Sequence, residues 1–308
     1  MTKLQTGLVL LTALMWGGCQ CQPSLPPVTD DNTSPPDPPT GTTALTADTA
    51  PPPPCATPEI EPNNAEVDAV PLVLEQRACG VIDAPFDVDY FSFELDDDGW
   101  ILVELEGDDG SIADMSLFLG NDDWVVIKHN NVESTDATVV FQAPAGPYFV
   151  SANEEYFRGG ERYTYRLLVS EAKAPVTWNT TEIEPNDSNL ESSILGDGDA
   201  IFGTMDGNGA LEDFDWYRIG IPDGKTDLHI DVDAYDFGSG ANLTAIVWSE
   251  DLQVLKTIEG GAVAGTQPDP DGIYSSPGDE IVYVQILEES ANEGPAGWYV
   301  LNITLEGE

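Results

Sequence analysis

The chain has 308 residues, with 10 Lys plus Arg against 56 Asp plus Glu, a formal net charge of −46. That balance excludes a nucleic-acid partner, which needs a basic face, and electrostatic attraction to an anionic lipid surface. Hydrophobic residues make up 41 %, too many for a wholly disordered chain, and His129 and His229 are the only two histidines, too few for most histidine catalysis or zinc chemistry.

Residues 1–18 have the parts of an export signal: Lys3, an apolar run Leu8 to Trp16, then Gly17-Gly18 and Cys19. The run is shorter than the ~20 residues that span a bilayer. It resembles a bacterial lipoprotein signal, cleaved before a lipid-modified Cys19, although Trp16 departs from the aliphatic residue usual there. Gln20 rather than Asp follows the cysteine, so the resemblance implies the outer membrane or cell surface, with the lipid anchor as the one membrane contact.

In such an oxidising compartment Cys55 and Cys79 are predicted to form a disulfide, worth roughly 3 kcal/mol by loop closure. Cys21 is left over, free or intermolecular; a Cys21–Cys55 pairing is the alternative. Residues 19–58 read as a tether. Positions 22–58 hold half of the 24 prolines and show no apolar periodicity, so they bury no core and extend on the order of 100 Å.

The remainder is an internal repeat. Glu59-Ile60-Glu61-Pro62-Asn63-Asn64 recurs as Glu182-Ile183-Glu184-Pro185-Asn186-Asp187. Gly80-Val81-Ile82-Asp83 recurs as Gly203-Thr204-Met205-Asp206, and Asp87-Val88-Asp89-Tyr90 as Asp213-Phe214-Asp215-Trp216. Two later strand-like runs recur in the same order, which sets domains at 59–171 and 182–308 with a linker at 172–181.

Within each copy the apolar period is two. Asp89, Phe91, Phe93 and Leu95 share a face, as do Asp215, Tyr217, Ile219 and Ile221. Turns rich in Gly, Asp and Asn separate such runs. The fold class is all-β: two tandem antiparallel β-sandwiches, with a long Gly/Pro loop from Gly260 to Gly278 in the second.

The acidic motifs carry the chemistry. In an extended segment Glu59 and Glu61 point the same way, and so do Asp87 and Asp89. Asp89 and Asp215 fall on the core face, where an unpaired carboxylate is costly. If the two motifs meet, basic residues are too few to neutralise them, and a hard divalent cation with oxygen ligands, calcium, resolves the repulsion. No EF-hand spacing is present.

Both copies are similar to the bacterial pre-peptidase C-terminal domain, a relative of the collagen-binding domain of clostridial collagenases. The resemblance covers nearly all of 59–308 and implies a jelly-roll sandwich that binds calcium. Carried over residue by residue, it implies ligands at Glu59, Glu61, Asn63, Asn64, Asp87 and Asp89. In the second copy it implies Glu182, Glu184, Asn186, Asp187, Asp213 and Asp215. Asn64 stands where the second copy has Asp187, one charge fewer, which is expected to weaken the first site.

No nucleophile elbow, metalloprotease helix or phosphate loop is present, and no peptidase domain fits in the chain. Tyr163 and Tyr165 read as core; Tyr90 and Trp216, on the opposite strand face, are the candidate ligand contacts. The sequence therefore describes a non-catalytic surface lipoprotein displaying two calcium-stabilised modules for an extracellular protein or polysaccharide. The alternative is a structural, assembly or accessory subunit of an envelope or secreted peptidase system.

Overall fold

In the first repeat the alternating segments form ten strands. They are β1 (Thr57–Pro58), β2 (Val70–Pro71), β3 (Ala78–Val81), β4 (Val88–Leu95), β5 (Gly99–Gly107), β6 (Met115–Gly120), β7 (Val125–His129), β8 (Ala137–Ala143), β9 (Gly146–Glu154) and β10 (Thr164–Glu171). The second repeat forms β11 (Thr180–Thr181), β12 (Ser193–Leu195), β13 (Ala200–Thr204), β14 (Phe214–Ile221), β15 (Asp227–Asp233), β16 (Leu243–Ser249), β17 (Val254–Glu259), β18 (Asp271–Ser275), β19 (Glu280–Glu288) and β20 (Trp298–Glu306). The structure, a computed structural model, describes residues 55–121, 125–129, 137–205, 213–260, 269–277, 280–288 and 294–307, with the backbone alone for 125–129. The export signal, Cys19, Cys21 and the tether up to residue 54 lie outside the described residues, as does the side chain of His129.

The strands make two sandwiches. One sheet of the first has the order β1-β3-β10-β5-β8 and the other β2-β4-β9-β6-β7. The second sandwich repeats both orders strand for strand, as β11-β13-β20-β15-β18 and β12-β14-β19-β16-β17. The period of two places every second residue between the sheets. Phe91, Phe93, Leu95, Val103, Leu105, Leu117, Val150 and Leu167 fill the first core, and Tyr217, Ile219, Leu228, Ile230, Val247, Val284 and Ile303 the second.

The sheets are not antiparallel throughout. The first strand of each runs parallel to its neighbour: β1 with β3, β2 with β4, β11 with β13 and β12 with β14. The chain enters at the edge of one sheet, then crosses to the edge of the other, and the acidic motif lies on that crossing. Pro58 and Pro71, which have no backbone N–H, sit in such edge strands, where a missing donor is tolerated. The Glu61–Pro62 and Glu184–Pro185 peptide bonds are both cis. Cys55 and Cys79 are disulfide-bonded, with Cα atoms 5.8 Å apart.

The Gly260–Gly278 stretch is not all loop. Asp271–Ser275 forms β18 and pairs with β15 at the edge of its sheet. Flanking glycine and proline hide its alternation, and Gly272 lies against the Ile258 side chain, where a Cβ would come within 3.1 Å.

The segment between the repeats also packs. Trp178 packs at a tilt against Trp100 (ring centroids 6.1 Å) and Phe202 (4.7 Å), and Trp298 lies 5.6 Å from Trp100. Trp298 is fully buried and donates its indole N–H to the Val140 carbonyl. The Val140 N–H in turn reaches the Gly238 carbonyl at 2.7 Å. Residues from both sandwiches thus share one aromatic junction.

Candidate metal centre

β4 and β14 carry the acidic residues into the core. Each opens with Asp-x-Asp, and the second Asp continues the inward row of Phe91 or Tyr217. Asp89 and Asp215 are both 0 % exposed. The crossing segment lies over them. Tyr90 N–H donates to the Asn63 carbonyl (2.8 Å) and Trp216 N–H to the Asn186 carbonyl (3.0 Å), so each motif is tied by backbone to the strand that bears the buried Asp.

Three carboxyl groups then converge. Glu59, Glu61 and Asp89 each offer an oxygen within 4.8 Å of the others, and Glu182, Glu184 and Asp215 do the same. The first sandwich holds a further group, Glu61, Asp83 and Asp87, so Glu61 belongs to both. Asn63 and Asn186 are fully buried beside these carboxylates. The Asn63 amide donates N–H to Asp89 Oδ1 at 3.1 Å, that of Asn186 to Asp215 Oδ1 at 2.7 Å, and that of Asn64 to Asp87 Oδ1 at 2.9 Å.

The first Glu of each motif is held from behind. Glu59 accepts from Val81 N–H (2.8 Å) and from the Tyr165 hydroxyl (3.0 Å). Glu182 accepts from Thr204 N–H and from the hydroxyls of Tyr217 (3.1 Å) and Tyr299 (3.2 Å). Tyr299 also meets Asp215 Oδ2 at 2.5 Å. The copies differ here: Phe91 occupies the place of Tyr217, so the first site has one tyrosine and the second two.

Burial dominates the electrostatics. It raises the Asp89 carboxyl to about 9, aided by the charges of Glu59 and Asp87 and opposed by the Tyr165 hydroxyl. Burial likewise raises Glu182 to about 7 and pushes Asp215 well above the carboxylate range, with Glu182 and Asp213 adding to the latter. Glu59 and Asp87 are also raised, again chiefly by burial. Asp89 Oδ2 is buried with no hydrogen-bond partner. Without a cation these sites must hold protons. With one, the all-oxygen donor set of carboxylates and amides fits a hard divalent ion.

The structure gathers most of the residues named from sequence. Glu59, Glu61, Asn63 and Asp89 meet at one point, and Glu61, Asn64 and Asp87 at the next. Glu182, Glu184, Asn186 and Asp215 meet in the second sandwich. Asp187 is exposed and Asp213 half-buried, and neither belongs to the described group there. Asp83 was missed, although the recurrence of Gly-x-x-Asp at residues 80–83 and 203–206 pointed to it; Asp206 lies outside the described residues. The strand period places the Tyr165 and Tyr217 rings in the core and says nothing of what their hydroxyls meet. Tyr90 and Trp216 are half-buried; Tyr90 packs on Phe149, and Trp216 packs against Trp248 and Tyr283. His229 pairs with Asp271 at 2.6 Å, away from the acidic groups.

No protein-family model and no curated protein matches this sequence. Among solved structures, the chain is similar to the pre-peptidase C-terminal domain of collagenase from Bacillus anthracis, at 18% identity and a TM-score of 0.28, over 33% of this chain and 93% of that one. It is also similar to the tandem CBM51 modules of a family 98 glycoside hydrolase from Streptococcus pneumoniae, at 12% identity and a TM-score of 0.25, over 77% of this chain and 85% of that one. Among the described residues no helix is long and apolar enough to cross a membrane.

Proposed function

We propose that the chain is a non-catalytic, exported binding protein whose two sandwiches are each stapled by a divalent cation of the calcium type, with a lipid on Cys19 as its anchor. One observation carries the reading of the site: Asp89 and Asp215, fully buried on core faces, each meet two further carboxyl groups that the crossing segment delivers. Glu59, Glu61, Asn63 and Asp89 would hold one ion, with Asp83, Asp87 and Asn64 beside them for a neighbour; Glu182, Glu184, Asn186 and Asp215 would hold another. The ion supplies charge neutralisation and pins the crossing segment to the sandwich. Export and anchoring rest on the apolar run Leu8 to Trp16 and on the Gly17-Gly18-Cys19 that follows it.

The test is retention of the purified chain on immobilised extracellular proteins and polysaccharides, in calcium and in chelator. Retention in calcium that chelator reverses supports the reading. Retention on none of them, with co-purification of an envelope peptidase, supports the accessory-subunit alternative.

A further inference from the structure

The two repeats share a topology but differ on one outer face. In the β12-β14-β19-β16-β17 sheet the register lines up Ile194, Arg218, Tyr283, Trp248 and Val254 in a row that crosses all five strands. Neighbouring strands are ~4.8 Å apart, so the row is roughly 19 Å long. The next row holds Trp216, Gln285, Ile246 and Thr257. Trp216 leans to Trp248 (centroids 5.7 Å) over Gln285, whose Oε1 accepts from the Trp248 indole N–H at 3.0 Å. The ends of the row lie open: Ile194 is 74 % and Val254 54 % exposed.

The first sandwich has the same positions with other contents. Ser92 stands for Arg218, Gly120 for Trp248, Ser151 for Gln285 and Tyr90 for Trp216. The first face is aromatic too, with Phe149 in the place of Tyr283 and Phe118 in that of Ile246, so what the second face adds is Trp248 and Arg218.

The row runs into an open surface cleft. Beyond Arg218 and Tyr283 the register continues to Gly220 and Ile281, and these line a cleft of about 640 Å³ with Ser249, Glu250, Asp251 and Glu280. That volume lies within the ~300–1,000 Å³ of sites that take a side chain or small ligand. Glu280 borders the cleft, with its carboxylate turned to the hydroxyls of Tyr274 (3.1 Å) and Ser276 of the other sheet.

We propose that this face and its acidic cleft are the docking surface for an extended segment of another extracellular protein. That segment carries apolar side chains that lie along the row and a lysine or arginine that enters the cleft. The inference deepens the binding reading above and rests on it. Tryptophan, tyrosine and arginine at the centre of a patch with charges at its rim are the composition of protein-contact hot spots. The two exposed cleft carboxylates, Glu250 and Asp251, complement a cation, which a neutral glycan does not offer. A second copy of the chain would bring −46 against −46.

The test uses the full processed chain in calcium and short synthetic peptides of alternating leucine and threonine that end in lysine, glutamate or norleucine. Tryptophan fluorescence reads binding. The lysine peptide should bind at least about tenfold tighter than the glutamate peptide, a difference of ~1.4 kcal/mol. Trp248→Ala should abolish binding, and Ile194→Asp with Val254→Asp, at exposed positions that leave the core intact, should weaken it. Glu250→Gln with Asp251→Asn should remove the preference for lysine over norleucine while norleucine binding persists. Equal binding of the lysine and glutamate peptides, or no saturable binding, overturns the proposal. So does a fluorescence response to a neutral polysaccharide such as xylan instead, or self-association that Trp248→Ala removes. A melting temperature still raised by calcium when all peptides fail would place the failure in this surface and not in the cation sites.

Discussion

Gly80 and Tyr165 face each other across β3 and β10, and the tyrosine hydroxyl fills the space that a side chain at Gly80 would need. A Cβ there would come within 2.0 Å of Glu59 Oε2 and 2.2 Å of the hydroxyl. Gly203 and Tyr299 repeat the relationship, with Glu182 in the place of Glu59. Gly80→Ala and Gly203→Ala are therefore expected to displace the first motif glutamate. The cost by overpacking is about 1–3 kcal/mol, read as a lower melting temperature in calcium and a weaker calcium isotherm for the altered sandwich.

The tyrosine hydroxyls should differ in weight. The single Tyr299 hydroxyl lies between Asp215 and Glu182 and touches Tyr217, whereas the Tyr217 hydroxyl meets only Glu182 among the carboxyl groups, and Tyr217→Phe gives the second site the residue the first already has in Phe91. Tyr299→Phe should cost about 1–3 kcal/mol, because it strips buried carboxyl groups of a donor. Tyr217→Phe should cost less. Denaturant midpoints of the two variants, compared in calcium, measure this.

Calcium should oppose the pH dependence of stability. Asp89 titrates at about 9 in the folded chain against 3.8 as its ordinary value, and Glu182 at about 7 against 4.5. A raised carboxyl pKa means that the folded state binds more protons than the unfolded one. This contribution to stability is full below the ordinary values and is lost as pH rises through the folded ones. In chelator the melting temperature should fall between about pH 5 and pH 8. The gain on adding calcium should grow over the same range, because the ion must displace those protons. Asp89→Asn with Asp215→Asn should flatten both trends.

The aromatic junction should make the two sandwiches unfold together. Trp298→Ala empties a fully buried site beside Trp100 and Phe202 and leaves the Val140 carbonyl without its donor. The loss should be about 3–5 kcal/mol, and calorimetry should show one transition splitting into two.

The sequence made the inward placement of Asp89 and Asp215 legible, since a strict period of two leaves no other face for them. Repetition tied the two sandwiches to one strand order, as each landmark constrained its twin. What it hid was non-local. The parallel edge strands β1 and β2 depend on which sheet the crossing segment reaches, and no local pattern encodes that. Asp83 joins Asp87 through a turn in which Asp83 N–H donates to Asp87 Oδ2 at 2.8 Å, so its spacing of four matched no strand period. The row from Ile194 to Val254 exists only once five strands are in register.

The central claim is that each buried Asp shares a cation with its motif glutamates. Calorimetric titration of the chelator-treated chain with calcium tests it most directly, with Glu61→Gln plus Asp89→Asn and Glu184→Gln plus Asp215→Asn as separate variants. The account predicts saturable binding that loses one sandwich's share in each variant, together with a melting temperature that rises as calcium is added. No heat of binding and an identical melting temperature in calcium and chelator would contradict it.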